Sequence, residues 1–223
     1  MTSVLVVHDQ TLQRLGLRML LAAEPDLTVV GETANPLDAA RMSTELQPDV
    51  VVMGSRVDDA DGLDAIRGIT RRTLPGERRP RVLVLIPAGC ETHSYATLRA
   101  GAGGFLLQDA TPEELAAAVR VVAAGDAVIT PGLTRALIDT VRQQQPVRRL
   151  TRETELHALT ERERDILTAV ASGWSNAEIG ERLCIAPTTV KSHVSHILAK
   201  IGARARVQAV VFAYESGLVQ PAA

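Results

Sequence analysis

The sequence is poor in aromatic residues: two Phe, two Tyr and one Trp make up 2% of 223 residues. Any core must therefore be built from Leu, Val, Ile and Ala, which the 46% hydrophobic content supplies. Cysteine is equally scarce. Cys90 and Cys184 stand in unrelated contexts, which excludes a disulfide framework or a cysteine-based metal site and leaves small reduced residues. No apolar run approaches the ~20 residues that a membrane span needs, and the first ten residues, MTSVLVVHDQ, lack the basic region of a secretory leader. A cytoplasmic location without a membrane partner is expected. Lysine is almost absent, with two among 24 basic residues. No nucleophile elbow, phosphate-binding glycine loop or metal-ligating cluster is present, so an enzyme is not expected.

Charge is distributed unevenly. The net charge of −2 is the resultant of −4 over residues 1–125, +2 over 126–150 and 0 over 151–223. Within the last segment, Glu153 to Asp165 carries five acids, whereas Ala186 to Arg206 carries Lys191, Lys200, Arg204 and Arg206 and no acid. One acidic end and one basic stretch polarise this part of the chain.

Residues 1–125 alternate short apolar runs with amphipathic segments. Val4–Val7, Leu27–Val30, Val50–Met53, Val82–Ile86 and Phe105–Leu107 are continuous and β-branched, as strands covered on both faces should be. Between them lie helical segments at Thr11–Ala23, Pro36–Leu46, Leu63–Thr70, Thr92–Ala100 and Pro112–Ala124. Leu12, Leu15, Leu17, Leu20 and Leu21 are read as the apolar face of the first helix. Thr111, Pro112 and Glu114 form an N-cap, a Pro at N1 and a capping box. Five βα units predict an α/β domain with a five-stranded, parallel, doubly wound (flavodoxin-like) sheet. Residues 126–154 are read as a linker with a helix near Leu133–Val141, and the basic run from Arg71 to Arg81 as a solvated loop.

Residues 155–223 predict a second, all-α domain of four helices. Thr160 with Glu163, and Ser175 with Glu178, are capping boxes, and Gly173, Gly202 and Gly217 are stop signals. Two short helices joined by a turn at Cys184–Pro187 match a helix-turn-helix. In the second, Ile185, Val190, Val194, Ile197, Leu198 and Ile201 share an apolar face, while Thr188, Lys191, Ser192, Ser195 and Lys200 lie largely off it. A lysine for base acceptors, small hydroxyls and no carboxylate suit a DNA groove, and Thr188, Thr189 and the helix N-terminus can donate to phosphates. Periodicity alone leaves an ordinary helical bundle equally open. His193 and His196 read as packing or a phosphate contact rather than a metal pair, and Trp174 as packing.

Residues 159–219 resemble the LuxR-type helix-turn-helix of the NarL/FixJ response regulators, through LTERERDIL, SNAEIGERL, TTVKSHVSHILAKIG and the R-x-Q-A-V end. The resemblance implies double-stranded DNA as partner. It places Lys191, Ser192 and Ser195 toward bases, and Thr188, Thr189 and His193 near the backbone. It also implies a homodimer paired through the last helix, with Val207, Val210, Val211 and Tyr214 on the dimer face. Ala186 stands where the family usually has a Ser cap.

Residues 4–124 resemble a two-component receiver domain, through GETANPLDA, LQPDVVVM, DGLDAI and RAGAGGFLLQDATPEELAAAVR. Phosphoryl transfer in that family needs a Mg²⁺ held by acids, an Asp acceptor, a hydroxyl and a Lys. Aligned with those positions stand His8 and Asp9 instead of two acids, Gly54 instead of the acceptor, Ile86 instead of the hydroxyl and Gln108 instead of the lysine. Phe105 holds the switch-aromatic position. The resemblance therefore implies a degenerate, phosphorylation-independent receiver with no Mg²⁺ site and no cognate histidine kinase. A small-molecule effector at the strand ends, or constitutive dimerisation through the first and fifth helices, would replace phosphorylation. The alternatives are a heterodimerising decoy that does not bind DNA, and a conventional phospho-responsive regulator using Asp58, Asp59 or Asp61 as acceptor.

Overall fold

The computed structural model describes residues 1–54, 57, 59–71, 80–88, 94–129 and 156–219. The chain separates into two compact units, Met1–Leu133 and Thr134–Ala223. The expected helix at Leu133–Val141, most of the basic run from Arg71, Asp58 and Cys90 lie outside the described residues.

In the first unit, β1 (Thr2–Val7), α1 (Thr11–Ala22), β2 (Leu27–Thr33), α2 (Pro36–Leu46), β3 (Val50–Met53), α3 (Ala60–Arg71), β4 (Arg81–Ile86), α4 (Ser94–Ala100), β5 (Gly104–Leu107) and α5 (Pro112–Ala124) follow one another. The strands form one parallel sheet in the order β2-β1-β3-β4-β5. This is the doubly wound arrangement that the alternating pattern predicts. Its order reverses between β1 and β3, so the carboxyl ends of those two strands flank the crevice where such sheets place ligands. β3 is entirely buried, as its unbroken run of Val and Met requires. The opposite end is stapled: Asp49 Oδ2 accepts from the backbone N–H and the hydroxyl of Ser3, each at 2.9 Å.

The caps hold as the sequence implies. Thr111 and Glu114 form the capping box of α5, and Gly125 ends it at φ 98°. Asp59 Oδ1 accepts from Gly62 N at 2.7 Å, so α3 begins earlier than its apolar pattern suggests. Two readings need correction. In α1 only Leu17 and Leu21 pack on the sheet core; Leu12, Leu15 and Leu20 are exposed, together with Met19. The leucines are spread around too much of the helix circumference for one face to take them all. Arg81, expected in a solvated loop, lies on β4 and donates to Ala123 O at 2.7 Å, closing the C-terminus of α5.

The second unit contains α6 (Glu161–Ala171), α7 (Asn176–Leu183), α8 (Pro187–Lys200) and α9 (Arg206–Glu215). Both sequence-predicted capping boxes are formed, Thr160 with Glu163 and Ser175 with Glu178. Gly173, Gly202 and Gly217 all adopt positive φ at helix ends. Ile166, Leu167, Ile179, Val190, Val194, Ile197, Ile201 and Phe212 make the core. No helix among the described residues is long and apolar enough to cross a membrane.

Candidate nucleic-acid interface and receiver pocket

The turn between α7 and α8 depends on a close backbone approach. Cys184 ends α7 in the left-handed conformation, at φ 54°, and Ile185 N donates to Gly180 O at 3.0 Å. A Cβ on Gly180 would stand 2.7 Å from Ile185 O, so position 180 admits only glycine without rearrangement. Ala186 opens α8 without any side-chain cap, and Pro187 supplies N1. The helix buries Val190, Val194, Ile197 and Ile201 and leaves Thr188, Thr189, Lys191, Ser192, Ser195 and His196 exposed, with His193 half-buried. The apolar face read from the sequence is thus the packed face, and the expected DNA-facing residues lie on the free side. Ser192 Oγ donates to Thr188 O at 3.1 Å.

Arginines hold α7 at both ends. From α6, Arg162 Nη2 donates to Leu183 O at 2.9 Å. From α9, the buried Arg206 donates to Asn176 Oδ1 at 2.8 Å and to Trp174 O. Arg182 stacks over the Trp174 ring, 3.6 Å from its centroid. Sequence reasoning assigned Arg206 only to the basic stretch. Its partners are distant in the chain, so no local pattern announces them.

Two expectations change here. Lys200 does not offer its charge freely on the helix surface: its Nζ lies 2.6 Å from Glu163 Oε2. The same carboxylate closes the capping box with Thr160. Lys200 beside it, together with the N–H and O–H of Thr160, holds the Glu163 carboxyl below the usual carboxylate range. On α9, Val207 and Val211 are buried within the single chain, while Val210 and Tyr214 are half-buried. Of the four residues that the resemblance marked for a dimer face, the single chain already buries Val207 and Val211.

At the carboxyl end of the sheet, β1 delivers His8 and β3 delivers Gly54, with Gly54 N bonded to Val7 O at 3.0 Å. His8 is 97% buried, in contrast to the half-exposed Asp9 beside it. A Cβ built on Gly54 would lie 2.5 Å from His8 Cδ2 and 3.1 Å from its Nε2. The imidazole therefore takes the space that a side chain at position 54 would use. Its Nδ1 accepts from Gln10 N at 3.1 Å, so the ring proton of the neutral form sits on Nε2, which has no partner among the described residues. Burial pushes the imidazole below its ordinary 6.5, and Arg14 adds to this while Asp9 and Gln13 oppose it. The contact of His8 Nδ1 with Asp9 Oδ1, 3.3 Å, is an ion pair only in the protonated form.

Gln108 completes the arrangement. Its Nε2 donates to Gly54 O at 2.8 Å, and its backbone N donates to Ile86 O at 2.9 Å. Ile86 is buried. Phe105 is fully buried, and its N–H donates to Val128 O at 2.7 Å, tying the segment after α5 to the outer edge of β5.

Comparison with known proteins gives this geometry its context. Residues 4–120 match the family model of the response regulator receiver domain, and residues 157–213 that of the bacterial regulatory proteins of the luxR family. The chain is 34% identical to the nitrate/nitrite response regulator protein NarL of Escherichia coli (strain K12), over 96% of this chain and 95% of that protein. It is 36% identical to the uncharacterized transcriptional regulatory protein YxjL of Bacillus subtilis (strain 168), over 97% of each. Among solved structures, the response regulator ChrA of a heme-sensing two-component system shares 30% identity at a TM-score of 0.51, covering 98% of both chains. The chain belongs to the LuxR-type response regulators. It is a DNA-binding protein of that family.

Within that family frame, the receiver pocket does not fit a Mg²⁺ ion. Gly54 offers no carboxylate, a buried imidazole facing Gly54 stands at the position aligned with the first acid, and among the described residues no group of three or more His, Cys, Asp or Glu side chains could hold a metal. Octahedral Mg²⁺ needs hard oxygen donors converging from more than one element.

Proposed function

We propose that this LuxR-type response regulator is a sequence-specific transcription factor whose receiver domain operates without phosphorylation. One observation carries the reading: the volume a phosphoacceptor side chain would fill at position 54 is taken by His8. Gln108, at the aligned lysine position, spends its amide on the Gly54 carbonyl. The pocket is thereby packed and bonded in one arrangement, without the acceptor, hydroxyl and cation that phosphotransfer requires. No cognate histidine kinase is then needed.

The protein works as a homodimer on double-stranded DNA in this reading. Leu12, Leu15, Met19 and Leu20 line one stripe of α1 and are 83%, 39%, 63% and 42% exposed. Gly16 sits among them with nothing within 4 Å of its would-be side chain. A glycine inside a helix costs roughly 1 kcal/mol, and the monomer supplies no reason for it. A second copy crossing closely at Gly16 would supply one.

Incubation with acetyl phosphate, followed by intact mass measurement of wild type and Gly54→Asp, tests the central claim. Neither should gain a phosphoryl group, because the second acid, the hydroxyl and the lysine are missing in both. A phosphorylated wild type would overturn the proposal. Sedimentation of Met19→Glu tests the α1 face: a monomer is expected, and an unchanged dimer would remove that face from the reading.

A further inference from the structure

Residues 126–129 run back along the outer edge of the sheet, and the fold holds them at two points. The first is the C-terminus of α5. Gly125 turns the chain at φ 98°, with Gly125 N donating to Val122 O at 3.0 Å and Asp126 N to Val121 O at 3.1 Å. These two bonds make a Schellman motif, which reverses the chain at the helix end. Arg81 secures the same corner from β4. Its Nη1 donates to Ala123 O at 2.7 Å, and a Cβ on Gly125 would stand 3.0 Å from its Nη2.

The second point is β5, the edge strand beside β4. Val128 O accepts from Phe105 N at 2.7 Å. A Cβ on Gly104 would meet Val128 N and O at 3.3 Å each and Val122 Cγ2 at 2.8 Å. Gly104 thus leaves the room in which the returning backbone lies. Val128 packs on the sheet core but is only half-buried. One backbone bond and one half-buried valine hold far less strongly than the core, so this seat can open while the sheet stays folded.

We propose that residues 126–129 are a strap whose seating on β5 is coupled to DNA binding by the helical unit. The proposal rests on the homodimer reading above. Residues 130–155 continue from the strap to the helical unit, so the strap fixes where the connection leaves the receiver. Seated, the connection starts from the edge of β5; lifted, it starts from Gly125 and has more freedom to lose when two helical units are placed on one duplex. Seating therefore favours DNA binding, and DNA binding must favour seating by the same factor. Phe105 joins the two sides of this coupling: its ring is fully buried in the receiver and its N–H holds the strap. A change in β5 reaches the connection through one residue and needs no phosphoryl group.

The Phe105 amide reports the seat, because Val128 O is its acceptor. Its hydrogen exchange is read by NMR in the full chain, with and without a saturating mixed-sequence duplex at low salt. The duplex should slow exchange at Phe105 by about three- to tenfold, within the usual range of coupling between sites, and leave Val51 and Val84 in the buried strands unchanged. Gly104→Ala blocks the seat and should expose the Phe105 amide. Its duplex affinity should fall by the factor by which DNA slows exchange in wild type. Val128→Ser weakens the seat without a change in the sheet and should shift both readings in the same direction. It decides the matter if Gly104→Ala also loosens Val51 and Val84. Phe105 exchange that ignores DNA, or variants that free this amide yet bind duplex like wild type, would show that the strap serves the receiver fold alone. Sedimentation of the complex separates the remaining case: a monomer on DNA overturns the homodimer and this coupling with it, whereas a dimer with unmoved Phe105 exchange overturns the coupling only.

Discussion

His8 and Gly54 are steric complements: the ring of one lies where the first side-chain carbon of the other would stand, 2.5 Å from His8 Cδ2. The two residues close β1 and β3, the strands that flank the reversal of the sheet order. Gly54 is thus required by its neighbour and not only the absence of an acceptor. Gly54→Ala should destabilise the receiver by about 1–3 kcal/mol, the usual range for overpacking a filled core. The double variant His8→Ala with Gly54→Ala should recover much of the loss that the two single changes would add up to. Urea unfolding of the four proteins measures the coupling, and strictly additive effects would show that the ring and the glycine are independent.

The same imidazole gives stability a pH signature. Burial lowers the folded-state value of His8 below 6.5, so the unfolded chain binds the proton more readily. Stability is therefore full above 6.5 and falls as pH drops from there toward the folded value. Protonation also breaks the Gln10 N–H to Nδ1 bond, and only Asp9 and Gln13 among the groups acting on the ring favour its charged form. Urea midpoints measured from neutral to mildly acid pH should decline in the wild type and stay nearly flat in His8→Asn. Equal decline in both would assign the effect to another group. Glu163 does not confuse the test, since its lowered carboxyl titrates in a more acid range.

How much of this was readable beforehand follows from how local each signal is. The capping boxes of α5, α6 and α7 span four consecutive residues, and each appears in the structure as the sequence spells it. The five strands likewise declare themselves by continuous β-branched runs. The glycine at 54 and the neutral residues at 86 and 108 were legible as missing chemistry. What filled the gap was not, because His8 meets Gly54 only through the parallel register of β1 with β3. Arg206 finds Asn176 across 30 residues, and Lys200 finds Glu163 across 37. Long polar side chains of this kind look alike in sequence whether they reach for DNA or for a partner in the fold. The apolar stripe of α1 misled for a related reason: leucine pattern reports an apolar surface but not which side of it faces the sheet.

Arg206 joins α9 to the start of α7 by two donors, to Asn176 Oδ1 and Trp174 O. A lysine at this place keeps the charge but has no planar fork to reach both acceptors. Arg206→Lys should therefore lower the stability of the helical unit, and Arg206→Ala should lower it more, by about 1–3 kcal/mol, because two half-buried acceptors lose a charged donor. Thermal unfolding measures this directly. If both variants melt with wild type, the clamp is dispensable.

Glu163 is shared between two tasks, closing the N-terminus of α6 and holding Lys200. Glu163→Gln keeps a side chain that can still accept from Thr160 N, so the cap is weakened by no more than about 1 kcal/mol. The ion pair is lost outright, and Lys200 becomes a free cation at the C-terminus of α8. Freed, it can neutralise one more phosphate, which should steepen the dependence of log affinity on log salt by about 0.9. Anisotropy titrations of wild type and Glu163→Gln on the same duplex, at several salt concentrations, read that slope. Glu163→Gln with Lys200→Ala should return the slope to the wild-type value. A slope that ignores the release of Lys200 would mean that the C-terminal end of α8 lies away from the DNA backbone, and that the ion pair serves the fold alone.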